Sequence, residues 1–236
     1  MLRRLSFLVL FMFCSSAFSQ DTSTKKAPAS RKPSPALAPI EDEPGLPRVL
    51  LIGDSISIGY TLPTRELLKG KANLHRIGTN GGPTVTGMKE IEKWLGDKKW
   101  DVIHFNWGLH DLKFVDDKGD LVEPSLGKAQ VTLEEYEKNL RFLTQRMKKT
   151  GAKLIWCTTT PVPAKSNGRV EGDEAKYNAV AAKIMSGEGV STNDLCAFAK
   201  PQMETIGLPA NVHYSPDGYK VLASKVAAAI EVALGK

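Results

Sequence analysis

The chain has 236 residues, 42 % of them hydrophobic and 25 % charged, with a formal net charge of +6. That length and apolar content suit one domain with a full core. The basic excess is diffuse, with no Lys/Arg stripe interleaved with aromatic residues, so nucleic-acid binding is not expected.

Arg3 and Arg4 precede an apolar run, Leu5 to Phe13, and Ala17-Phe18-Ser19 fits a small-x-small cleavage site. Residues 1–19 therefore read as a signal peptide, which places the mature protein in the periplasm or outside the cell. The apolar run is too short to span a bilayer, so stable membrane insertion is not expected. Residues 20–47 are rich in Pro, Ala, Ser and Lys without an apolar period, the composition of a disordered tether. The folded domain is expected over 48–236.

Val49 to Ile52 is a short buried strand that breaks into Gly53-Asp54-Ser55, with a helix expected near 63–69. Leu74 to Ile77 is a second strand. Thr86 caps a helix with Met88, Ile91 and Leu95 on one face, ending near Gly96. Val102 to Phe105 is a third strand. Thr132 and Glu135 form a capping box for a helix over 133–149, and Gly151 stops it. Lys153 to Thr158 is a fourth strand. Asp173 caps a helix carrying Tyr177, Val180 and Ile184, and a fifth strand spans Val190 to Leu195. Ser215 caps the last helix, with Pro216 at its first position. This alternation predicts an α/β fold, a mainly parallel sheet with helices on both faces. Two loop-like stretches, 114–130 and 161–172, follow strand ends and should border the ligand crevice.

In such sheets ligands bind at the carboxyl ends of the strands, which is where Ser55 falls. Acyl transfer by a serine needs a hydroxyl, a base and donors for the oxyanion. Ser55 supplies the first and His213, just before the last helix, the second. Ser57 competes for the nucleophile role from further into the turn. Asn106, His110 and Asp111 follow the third strand and are polar groups beside the same crevice. Asn80-Gly81-Gly82 follows the second strand, and its glycines let backbone N–H groups approach a substrate. No Gly-x-Ser-x-Gly elbow, Gly-x-Gly-x-x-Gly or Walker pattern occurs, so an α/β-hydrolase fold and a nucleotide cofactor are not expected. A metal is not expected either, because His104 and His110 share a face only if the strand continues between them. Cys157 and Cys196 form one disulfide or remain free thiols.

Over about 48–236 the chain resembles the SGNH (GDSL-type) hydrolases. Gly53-Asp54-Ser55-Ile56-Ser57 looks like the first family block, Asn80-Gly81-Gly82 like the second, Gly108-Leu109-His110-Asp111 like the third and His213-Tyr214-Ser215-Pro216-Asp217-Gly218 like the fifth. The resemblance implies a three-layer α/β/α sandwich around a five-stranded, flavodoxin-like sheet. It also implies a cofactor-free serine esterase with Ser55 as nucleophile, His213 as base and Gly82, with Gly81 in reserve, as oxyanion donor. Two positions depart from the pattern. His110 stands where the third block has asparagine, and its ring N–H would replace the amide; Gly-Leu-His-Asp points to an exported subgroup. Ala210 stands where the fifth block has aspartate, leaving Asn211, Asp194, a backbone carbonyl or water to orient His213, with Asn106 and Asp111 as further polar groups nearby. The expected substrate is a small-molecule or polysaccharide ester, with O-acetyl on a carbohydrate first and Trp107 as a stacking platform. An O-acyltransferase to glycan and a non-catalytic glycan-binding relative are the alternatives.

Overall fold

The computed structural model describes residues 34–236. The signal peptide expected at 1–19, and the tether through residue 33, lie outside the described residues. In chain order the elements are β1 (Arg48–Ile52), α1 (Ser55–Leu67), β2 (Asn73–Arg76), α2 (Thr84–Leu95), β3 (Val102–Phe105), β4 (Phe114–Val115), β5 (Lys128–Ala129), α3 (Leu133–Lys148), β6 (Lys153–Cys157), α4 (Glu174–Glu188), β7 (Ser191–Asn193), α5 (Leu195–Ala199), α6 (Met203–Ile206) and α7 (Pro216–Leu234).

Five strands form one parallel sheet in the order β2-β1-β3-β6-β7. Helix α7 packs with α1, α5 and α6, and α2, α3 and α4 form a second packed set. Strand β1 is apolar on both faces because both are covered: Val49 and Leu51 on one face and Leu50 and Ile52 on the other are all buried. The strand order turns back between β1 and β3, a flavodoxin-like switch point where open sheets leave a crevice. Ser55 follows β1 and residues 106–111 follow β3, so both flank that crevice. Across the layer, α1 and α7 approach so closely that a Cβ on Gly59 would lie 2.1 Å from the Tyr219 ring. This contact seats the start of α7, and the loop before it, beside the start of α1.

Several boundaries differ from the sequence reading. Helix α1 starts at Ser55, not near 63, because the Asp54 carboxylate accepts the Ile56 N–H as cap. Pro63 lies inside it, at the cost of one helical hydrogen bond. Helix α2 starts at Thr84, ahead of Thr86, because the buried Asp111 carboxylate receives the Thr84 N–H. Strand β7 stops at Asn193, since Asp194 turns to cap α5. The stretch 114–130 contains the β4–β5 antiparallel pair. Helix α3 has both bonds of the Thr132–Glu135 capping box.

Residues 34–47, expected as the end of a tether, lie against the domain. Ala36 is buried, Asn73 bonds the backbone of Glu43 and Leu46, and Asp42 pairs with Arg48 and His75. Side-chain amides and charges from β1 and β2 anchor a stretch that has no apolar period of its own. Cys157 and Cys196 are free thiols. Among the described residues no helix is long and apolar enough to cross a membrane.

Candidate active site

The nucleophile turn is built from buried polar groups. Asp54 is buried and caps α1, and Ser55 occupies the first helical position, where a backbone N–H has no intrahelical partner. Beneath it lies Arg76, at the end of β2 and only 7 % exposed. Its guanidinium donates to the carbonyls of Gly53 (2.8 Å), Asp54 (3.1 Å), Ile77 (2.6 Å) and Thr79 (2.7 Å), and to Ser57 Oγ (2.9 Å). One side chain thereby joins the Gly53–Ser57 turn to the loop after β2. Burial pulls the Arg76 pKa down to about 10, leaving it cationic near neutral pH. Ser57 Oγ is buried between Arg76 and the Asp54 carbonyl, out of reach of a substrate, so the competing nucleophile is removed.

Ser55 Oγ lies 2.8 Å from His213 Nε2, although the two are 158 residues apart in sequence. His213 is held between the buried side chains of Val212 and Tyr214. The loop closes on itself through the bonds Leu208 N–H to the His213 carbonyl and Ser215 N–H to the Ile206 carbonyl. Asn211 Oδ1 accepts both the His213 backbone N–H (3.0 Å) and ring Nδ1 (2.7 Å). A backbone N–H can only donate, so this contact fixes which end of the amide faces the ring. Nδ1 therefore carries the proton, and Nε2 offers its lone pair to the Ser55 hydroxyl. Burial holds the His213 pKa below its ordinary value; the Asp54 charge opposes that and the Arg169 charge adds to it. Of the groups expected to orient His213, Asp194 is spent on Thr158 and the start of α5. Ala210 brings no side-chain acceptor and adopts the left-handed region, φ +49°.

The remaining expected residues divide. His110 is partly buried within electrostatic reach of His213; burial lowers its pKa, with the Lys113, Arg169 and His213 charges adding and Asp54 opposing. Gly82 takes φ +59°, and its N–H donates to Asn80 Oδ1 (2.9 Å), so it is already engaged. The Gly81 N–H donates to the Gly53 carbonyl. Asn106 does not turn to His213: its amide donates to the Cys157 carbonyl at 2.8 Å, tying β3 to β6. Asp111 is fully buried at the start of α2, where burial pushes its pKa up to about 7 against the opposing Thr84 hydrogen bonds. It serves as a helix cap.

Trp107 is no sugar platform. It is 1 % exposed, stacked with Trp94, and it fills the space that Gly87 leaves on α2, where a Cβ would come within 2.7 Å of the indole. Two residues were missed from sequence. Arg76 ends a strand otherwise read by its apolar content, and Arg169 lies in the 161–172 stretch; the only local signal was a cation beside a predicted strand end or crevice loop. Among the described residues no group of three or more His, Cys, Asp or Glu side chains is arranged to hold a metal ion.

No family model matches the chain, and no curated protein sequence does. Solved structures match it closely in shape. The acetyl xylan esterase AlAXEase superposes with a TM-score of 0.62 at 22 % identity, over 78 % of this chain and 99 % of that one. A lipase/acylhydrolase from Enterococcus faecalis gives 0.66 at 17 % identity, over 79 % and 96 %. An acetyl xylan esterase from Geobacillus stearothermophilus gives 0.64 at 19 % identity, over 80 % and 94 %. The chain has the α/β fold of these ester hydrolases.

Proposed function

We propose that the protein is a serine ester hydrolase of the SGNH (GDSL) type, exported, acting on O-acetyl groups of a carbohydrate. The observation that carries this reading is the 2.8 Å contact between Ser55 Oγ and His213 Nε2 at the crevice of the sheet. His213 Nε2 takes the Ser55 proton as Oγ attacks the ester carbonyl carbon. The carbonyl π-electrons move onto oxygen, and the Ser55 N–H at the start of α1 faces that negative charge with the helix dipole behind it. The His110 ring N–H adds a second donor. The Gly82 N–H is a third, once the substrate oxygen displaces or shares the Asn80 carbonyl. The imidazolium then gives its proton to the leaving alcohol oxygen as the tetrahedral intermediate collapses to an acyl-Ser55. Water repeats the sequence in reverse and releases the acid.

Asn211 is the orienting partner of His213. Its amide holds the ring by hydrogen bonding but carries no charge, so it stabilises the imidazolium less than a carboxylate would. The acetyl assignment is supported by the acetyl xylan esterases among the structures of like fold. Export is supported by the amino-terminal sequence, with the mature chain starting at Gln20. Ser55→Ala tests the reading: it should fold with an unchanged circular dichroism spectrum and lose acetate release from acetylated glycans by about a thousandfold or more. The wild type should react covalently with a fluorophosphonate at Ser55. Equal turnover by wild type and variant would end the serine mechanism, and a silent probe on folded wild type would favour a glycan-binding protein.

A further inference from the structure

Two cations beside the proposed catalytic groups have no part in the chemistry above. Lys113 and Arg169 come from different loops that are bound together. The Phe114 N–H donates to the Gly168 carbonyl at 2.8 Å, and Arg169 Nε and Nη2 both donate to the Leu109 carbonyl, at 3.1 and 3.0 Å. Arg169 is thereby pinned one residue from His110. Both side chains are partly buried, and among the described residues no carboxylate lies within ion-pair distance of either. Of the acids close by in sequence, Glu171 is exposed and outside ion-pair distance of Arg169, and four others are engaged elsewhere. Asp117 faces Lys128, Asp116 accepts the N–H groups of Lys118 and Asp120, Asp173 pairs with Lys176, and Glu174 accepts the Val162 N–H. Asp54 is the acid whose field reaches Arg169, and its Oδ1 is held by the Ile56 N–H.

Two like charges, partly desolvated and near each other, are an unfavourable pairing unless something negative joins them. Their mutual repulsion is evident at Lys113, whose pKa is depressed by burial first and by the Arg169 charge second. Arg169 also acts on both His110 and His213, so the positive field covers the reacting groups themselves. Among the described residues nine Lys and Arg side chains pair with a carboxylate; Lys113 and Arg169 do not.

We propose that Lys113 and Arg169 form a subsite for an anionic substituent, a carboxylate or a sulfate, carried on the same saccharide as the ester that Ser55 attacks. The subsite rests on the esterase reading and narrows its substrate class to acidic glycans. Arg169 has spent two donors on Leu109 and has a third on the Asn167 carbonyl at 3.2 Å, so it contributes mainly charge and little bidentate geometry. Charge without a fixed fork accepts either anion.

Four substrates test it: 4-nitrophenyl acetate, an O-acetylated neutral oligosaccharide, one carrying a uronic acid, and one carrying a sulfate. KM for an acidic saccharide should be about fivefold lower than for the neutral one at low salt, and the gap should close near about 0.5 M NaCl. Lys113→Gln should bring the acidic-to-neutral ratio of kcat/KM close to one, and Lys113→Arg should retain it. Arg169→Gln should lower the same ratio. Reading a ratio within each variant separates lost selectivity from a general loss of rate. A preference for one acidic saccharide alone identifies which anion is bound. Equal KM values for neutral and acidic saccharides, from a protein that hydrolyses 4-nitrophenyl acetate, would overturn the subsite and leave the esterase reading standing. A folded protein that hydrolyses none of the four overturns both.

Discussion

The two sides of the Ser55–His213 contact are built in opposite ways. On the serine side Gly53, Asp54, Ser57 and Arg76 are buried and bonded to one another through two carbonyls, Ser57 Oγ and the Arg76 Nη atoms, while Arg76 Nε is without a partner. On the histidine side Leu208, Ala210 and Asn211 face solvent, and the ring is aimed by one exposed amide. Buried hydrogen bonds are costly to break because an abandoned partner has no water to turn to. Exposed ones are exchanged with solvent at little loss. The serine is therefore fixed by the fold, whereas the histidine is positioned by Val212 and Tyr214 and oriented by a local turn. The two sides should respond differently to substitution.

The largest effect is expected at Arg76. Arg76→Met keeps the length of the side chain but removes a donor from four carbonyls and the Ser57 hydroxyl. Gly53 and Asp54 keep the Gly81 and Ile58 N–H groups and Ser57 keeps the Asp54 carbonyl, so the Ile77 and Thr79 carbonyls bear the main loss. At roughly 1–3 kcal/mol for each buried group left unpaired, with partial relaxation, the loss should reach about 3–5 kcal/mol by urea unfolding. Asn211→Ala should change stability by less than about 0.5 kcal/mol in the same measurement, since its amide is exposed. Similar losses for the two variants would erase the contrast drawn between the two sides.

That contrast also marks what the sequence alone could convey. Ser55 and His213 were legible because each sits on a local signal, a strand that breaks into Gly-Asp-Ser and a loop that ends in Ser-Pro. A parallel α/β order brings strand ends to one rim. Arg76 was not legible, because its partners Gly53 and Asp54 are 23 and 22 residues away and nothing local says that a strand arginine points inward. Trp107 misled for the same reason: its place after a strand end says nothing about the side its ring takes, which is decided by the room at Gly87 on another element. The early start of α1 was hidden by Gly59 and Pro63, two poor helix formers that tertiary contacts override. Ala210 announced a missing carboxylate but left several replacements open, and only the folded turn singles out Asn211.

Asn211 sharpens the comparison through the pH dependence of ester hydrolysis. His213 must be neutral to accept a proton, and burial first, then the Arg169 charge, hold its pKa below 6.5 against the pull of Asp54. The activity kcat/KM should thus be level near neutral pH and fall on acidification through a midpoint below 6.5. Asn211→Ala should lower kcat about ten- to a hundredfold by freeing the ring. Asn211→Asp puts a carboxylate where the amide oxygen now accepts Nδ1–H. It favours the imidazolium, so the acid limb should move to higher pH while kcat is kept or raised. An unmoved midpoint in Asn211→Asp would mean that this residue does not hold His213 in solution.

The smallest effect belongs to Ala210, where the histidine side holds its one strained residue. Its φ of +49° places a Cβ in the left-handed region, at a cost of about 1–2 kcal/mol. Ala210→Gly removes that strain but adds unfolded-state freedom worth about 0.5–1 kcal/mol, so a net gain of about 0.5 kcal/mol should raise Tm by one or two degrees. Because Asn211 follows directly, a relaxed backbone at 210 also loosens the aim of its amide. Stability and activity should then move in opposite senses, with kcat falling about twofold as Tm rises. A fall in both would show that the turn draws its rigidity from the Ala210 side chain, and a rise in both that Asn211 is aimed without help from the strained residue before it.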